Sequence, residues 1–80
     1  MSYTVVIHIS NEEAVVAEMD DLPAENATQI TVKNPRKMDG KDIHYLNDNV
    51  MTVIWPMSRI NFIEILPSKE EEEIIGFVRE

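Results

Sequence analysis

Ala27 to Met38, ATQITVKNPRKM, is the stretch whose reading decides the fold. Ile30 and Val32 alternate with Thr31 and Lys33, the two-residue period of a strand with one buried face, and Thr and Val favour the pleated backbone. Asn34-Pro35 is predicted to break the ladder, because proline lacks an N–H and restricts the residue before it. Arg36, Lys37 and Lys41 follow, the densest positive charge in an acidic chain. One strand thus supplies a core face, a bend and a candidate anion-binding edge.

Upstream, Tyr3–Ile9 (YTVVIHI) is rich in β-branched residues and runs into Ser10-Asn11, which are turn-forming types, so it reads as the first strand. Glu12–Leu22 carries two signals. Ser10 and Glu13 have capping-box spacing, and Val15, Met19 and Leu22 fall at helical spacing. The β-branched pair Val15-Val16 and the short connection favour a second strand in a hairpin with the first. Pro23–Asn26 is a turn by composition.

Downstream, Asp39-Gly40 predicts a tight turn, Asp42–Leu46 a short return strand and Asn47–Asn49 another turn. Val50–Trp55 reads as a strand halted by Pro56. Ser58–Leu66 is the last strand, with Ile60, Phe62 and Glu64 on one face and Asn61, Ile63 and Ile65 on the other. Neither face is cleanly polar, which predicts cover on both sides, for example by a neighbouring subunit. Ser68 and Glu71 then form a capping box, the run Glu70–Glu73 suits the positive end of a helix dipole, and Ile74, Phe77 and Val78 form an apolar stripe. A short helix over 68–79 is predicted, weakened by Gly76 and in need of a docking surface.

The 80 residues hold 15 acids and 7 bases, for a net charge of −8. That balance argues against a generic polyanion coat, which depends on Lys and Arg. Four of the seven bases nevertheless lie in the short piece 33–41. Ordinary solvated charge around a turn is as good a reading of them as a binding edge. There is no cysteine, so disulfides play no part and a reducing compartment is allowed. No apolar run approaches the ~20 residues of a membrane span and no signal-like stretch opens the chain, so a cytoplasmic location away from membranes is expected.

Short bent strands, an opening hairpin and a final strand predict a small β-barrel. The order of residues resembles the Sm-like (LSm) family. IHISNEEAVVAEMDDL followed by NATQITVKN is similar to its first motif, and NFIEILPS to the end of its second. With PSKEEEE behind it, the layout looks most like small Sm-like proteins encoded by phages, which would place it in the host-cell cytoplasm. The family's glycines stand here as Glu12 and Ala17, and its basic base-binding pattern as Ser58-Arg59-Ile60-Asn61.

The resemblance implies one domain, all-β with one helix. Residues 1–66 would form a strongly bent five-stranded Sm-like (SH3-type) barrel and 68–79 a C-terminal helix. It also implies a homo-oligomeric ring of about five to seven subunits. Such rings bind single-stranded RNA or DNA by stacking bases and hydrogen-bonding their edges. Asn26, Gln29, Arg59 and Asn61 have the chemistry to contact bases, and Lys33, Arg36, Lys37 and Lys41 to hold phosphates. Structural turn roles for Asn26 and Asn61 weigh about evenly against this. Tyr45 and Trp55 could stack on bases but read better as core or subunit contacts.

Catalysis finds no support. Asp20-Asp21 alternate across a sheet, His8 lacks a partner at ligand spacing, Asp42 and His44 make a weak two-ligand pair, and no nucleophile has a base. The expectation is a non-enzyme with no cofactor and no metal, either a nucleic-acid-binding ring that remodels or escorts RNA or a ring scaffold or adaptor for a protein partner.

Overall fold

The computed structural model describes residues 2–67, which form five strands and a single 3-10 turn. The strands are β1 (Tyr3–Ile9), β2 (Val15–Met19), β3 (Gln29–Lys37), β4 (Thr52–Pro56) and β5 (Ile60–Ile65). They make one antiparallel sheet in the order β4-β3-β2-β1-β5. The sheet is curled. Trp55 of β4 packs in the same apolar cluster that Ile60 and Ile63 of β5 join, although these strands lie at opposite ends of the sheet. The predicted helix at 68–79 lies outside the described residues.

Alternating residues set the concave face, as the sequence reads for Ile30 and Val32. Val5, Ile7 and Ile9 of β1, Val15, Ala17 and Met19 of β2, and Ile30 and Val32 of β3 are all buried there. Fully burying each larger aliphatic side chain contributes about 1.5–3 kcal/mol, so these alternating residues hold the curl. Val6 is buried too, but on the convex face, paired with Val16 on one side and Glu64 on the other.

Two turns form as the sequence predicts. Asn11 takes φ 64° in the β1–β2 turn, where the Glu12 N–H donates to the Ile9 carbonyl at 3.2 Å. At Asp39-Gly40 the glycine has φ +86°, and the Gly40 N–H donates to the Lys37 carbonyl at 2.8 Å.

Three expectations need correction. Asn34-Pro35 bends β3 without ending it. Asn34 adopts φ 52°, and between the pairs Val16↔Arg36 and Glu18↔Lys33 the register shifts in a bulge that accommodates the proline. The Asn34 N–H is satisfied by the Met51 carbonyl at 2.7 Å, so pairing with the β4 side persists through the bend.

Asp42–Leu46 is not a strand. β3, the strand along which it would return, already pairs with β2 and β4, which leaves no ladder on β3 for this segment to join. It turns instead, with the Leu46 N–H on the Ile43 carbonyl and the Val50 N–H on the Asn47 carbonyl, both at 3.2 Å. Ile43 anchors the loop in the core at 5 % exposure.

The last strand begins at Ile60, after a 3-10 turn at Met57–Arg59. A second bulge lies between the pairs His8↔Phe62 and Ile9↔Ile60 and leaves Asn61 unmatched. Ile60 is thereby moved off the face of Phe62 and Glu64 and onto the core, with Ile63. No helix among the described residues is long and apolar enough to cross a membrane.

Candidate functional site

The eight residues expected to bind nucleic acid do not converge. Lys33, Arg36 and Lys37 lie along β3, and each is met by a carboxylate from the β1–β2 turn or β2 side. Lys33 Nζ donates to Asp20 Oδ2 at 2.7 Å. Arg36 forks onto both oxygens of Glu18 at 2.9 Å and also donates to the Asn34 carbonyl at 2.8 Å. Lys37 Nζ lies 3.6 Å from Glu13.

The register explains these contacts. Val16 faces Arg36 and Glu18 faces Lys33, so each cation reaches a carboxylate diagonally rather than directly across the ladder. Consequently the Arg36 guanidinium is held above its ordinary range, first by the hydrogen bond it donates to Glu18, and the Asp20 carboxyl is held below its own by Lys33. The positive stripe read from the sequence is therefore largely neutralised within the chain.

The other members are scattered. Asn26 sits exposed in the loop before β3, where the Ala27 N–H donates to the Ala24 carbonyl at 3.1 Å. Gln29 and Lys33 share one hollow with Asp20 and Asp21, and Arg59 is not part of it. Asn61 occupies the β5 bulge and accepts a hydrogen bond from Ser10 Oγ at 3.0 Å, a structural role that ties β5 to the β1–β2 turn. The Arg59 carbonyl accepts the Ser10 N–H at 2.8 Å, while its side chain is exposed. Neither Arg59 nor Lys41 has a carboxylate within ion-pair distance among the described residues.

A different concavity stands out. The 38–51 loop folds over one end of the curled sheet and leaves two adjoining hollows, of about 450 and 400 Å³. Glu12 and Tyr45 line both and form the wall between them. The first hollow adds Glu13, Lys37, Ile43 and His44, and the second adds Leu46, Val53, Trp55 and Arg59. His44 meets Tyr45 edge-on, with ring centroids 5.3 Å apart. Burial, and then the charge of Glu12, pushes the Tyr45 phenol above its ordinary value.

Tyr45 and Trp55 are legible as aromatic contacts in the sequence. Glu12 is not, because it joins them only through a turn that brings residues 12 and 45 to one place. Among the described residues no group of three or more His, Cys, Asp or Glu could hold a metal ion, and His44 lies on a turn rather than on a strand beside Asp42. His8 pairs with Glu64 at 2.7 Å and stacks on Phe62 at a centroid distance of 4.1 Å, a packing arrangement on the convex face. No family model matches the chain, and neither a curated protein nor a solved structure matches it.

Proposed function

We propose that this chain is a subunit of a homo-oligomeric, Sm-like ring that serves as a scaffold or adaptor for protein partners. The observation that carries this is the pair of open sheet edges. Among the described residues β4 and β5 each hydrogen-bond a strand on one side only, at opposite ends of the sheet. Beside them Ile54, Phe62 and Ile65 are 58 %, 56 % and 51 % exposed. An exposed edge with apolar flanks is a template for pairing, and a head-to-tail contact between unlike edges closes into a ring when the rotation allows. The scaffold role is favoured because Lys33, Arg36 and Lys37 are met by the chain's own carboxylates and the net charge is −8.

Sedimentation tests the ring. The parent should sediment as an oligomer at micromolar concentration, and Ile54→Lys, which puts a charge beside the β4 edge, should shift it towards monomer. A monomeric parent overturns the proposal. A second reading, binding of single-stranded RNA or DNA, draws on Arg59 and Lys41, which have no carboxylate within ion-pair distance among the described residues, and on the exposed Asn26 and Gln29. Filter binding of oligouridylate across salt concentrations decides for it if affinity falls steeply with salt in the parent and less steeply after Arg59→Gln/Lys41→Gln.

A further inference from the structure

We infer that the double hollow over the end of the curled sheet is a peptide-docking groove, and that it takes an extended segment in which an arginine or lysine adjoins an apolar residue. This rests on the adaptor reading and names the chemistry of the partner. The first hollow supplies carboxylates. Glu12 has no cation within ion-pair distance among the described residues, and Glu13, with its side chain 78 % exposed, has only a long contact to Lys37. The edge-on pair of His44 and Tyr45 stands beside them. A guanidinium or ammonium placed there donates a charge-assisted hydrogen bond to Glu12 and meets the face of an aromatic ring.

The second hollow has an apolar wall. Leu46, Val53 and Trp55 line it, and Trp55 is 9 % exposed. It has room for an aliphatic side chain, and Arg59, which also lines it, offers donors to a main-chain carbonyl. Because Glu12 and Tyr45 line both hollows, the cationic and apolar groups of the occupant must be close neighbours along its chain. Glu12 and Glu13 against Lys37 leave the first hollow with one net negative charge, which favours a basic peptide over a phosphate there.

The experiment is a titration of the full chain, followed by amide and indole NMR shifts, with acetyl-Arg-Leu-amide, acetyl-Glu-Leu-amide and a short oligouridylate as probes. Trp55 is the only tryptophan, so its indole resonance reports on the groove without ambiguity. The Arg-Leu peptide should give saturable shifts at Glu12, Tyr45 and Trp55. Glu12→Gln should weaken its binding about tenfold, as loss of one charge-assisted hydrogen bond implies. Arg36→Gln, away from the groove, should leave it unchanged.

Equal binding of the two peptides, shifts from oligouridylate alone, or no saturable shift at millimolar peptide overturns the inference. So does unchanged affinity in a folded Glu12→Gln variant. Sedimentation of the same samples separates the two proposals. A monomer that binds the peptide loses the ring and keeps the groove, and a ring that does not bind it keeps the ring and loses the groove.

Discussion

Replacing Arg36 by Gln should destabilise the fold, and a double-mutant cycle with Glu18→Gln should show why. Arg36 makes two contacts of 2.9 Å to Glu18 and one of 2.8 Å to the Asn34 carbonyl inside the bulge. The two side chains are 28 % and 25 % exposed, between the regimes of surface and buried pairs. Exposed pairs contribute about 0.2–1 kcal/mol, and breaking a fully buried pair costs about 3–5 kcal/mol. With a bidentate geometry and a quarter of each side chain still in water, about 1.5–2 kcal/mol is expected for Arg36→Gln. About 1 kcal/mol of that should appear as coupling to Glu18.

For a domain of this size, that cost lowers Tm by about 6–16 °C. Urea denaturation of the parent, the two single variants and the double variant measures the coupling. A value below about 0.3 kcal/mol would refute the reasoning, because additivity at that level means that Arg36 is free surface charge. The phosphate-binding role for Arg36 would then recover its standing.

Four further outcomes are expected. Ile7→Ala, at a side chain with no exposure, should cost about 2–5 kcal/mol in the same denaturation assay. Asn34→Gly should be nearly neutral, whereas Asn34→Val should cost about 1–2 kcal/mol, because a β-branched residue resists the positive φ of the bulge. The Asp20 carboxyl is held low by Lys33, so its stabilisation is present above about pH 4 and is lost as pH falls through the lower folded-state value. Asp20→Asn should slightly flatten the acid limb of a stability–pH curve. Tyr45 behaves in the opposite sense, its stabilisation being lost as pH rises from about 10 through the raised value. In an ultraviolet titration Glu12→Gln should lower the Tyr45 midpoint only part of the way to normal, because burial is the larger cause.

Local pattern in the sequence determined the strand content. Richness in β-branched residues marks Tyr3–Ile9 over its whole length, the Val15-Val16 pair and the short connection outweigh the helical spacing in 12–22, and the alternation of Ile30 and Val32 locates the core face of β3. Asp39-Gly40 and Asn11 are legible because positive φ has few chemical solutions.

The tertiary structure decided what depends on register. Whether Asp42–Leu46 returns along β3 depends on a free ladder there, and none remains on β3 once it has two neighbours. The bulges at Asn34 and Asn61 shift their strands by a residue, which moves Ile60 to the core and sets Arg36 within reach of Glu18. A cluster of cations in a sequence has no fixed meaning for the same reason. Lys33 and Asp20 are far apart in the chain, and only the pairing of β2 with β3 brings them to 2.7 Å and turns a candidate anion-binding edge into a line of internal ion pairs. Glu12 and Tyr45 likewise meet only because the 38–51 loop closes over the end of the sheet, a placement set by burial of Ile43 in the core and by no periodicity in the sequence.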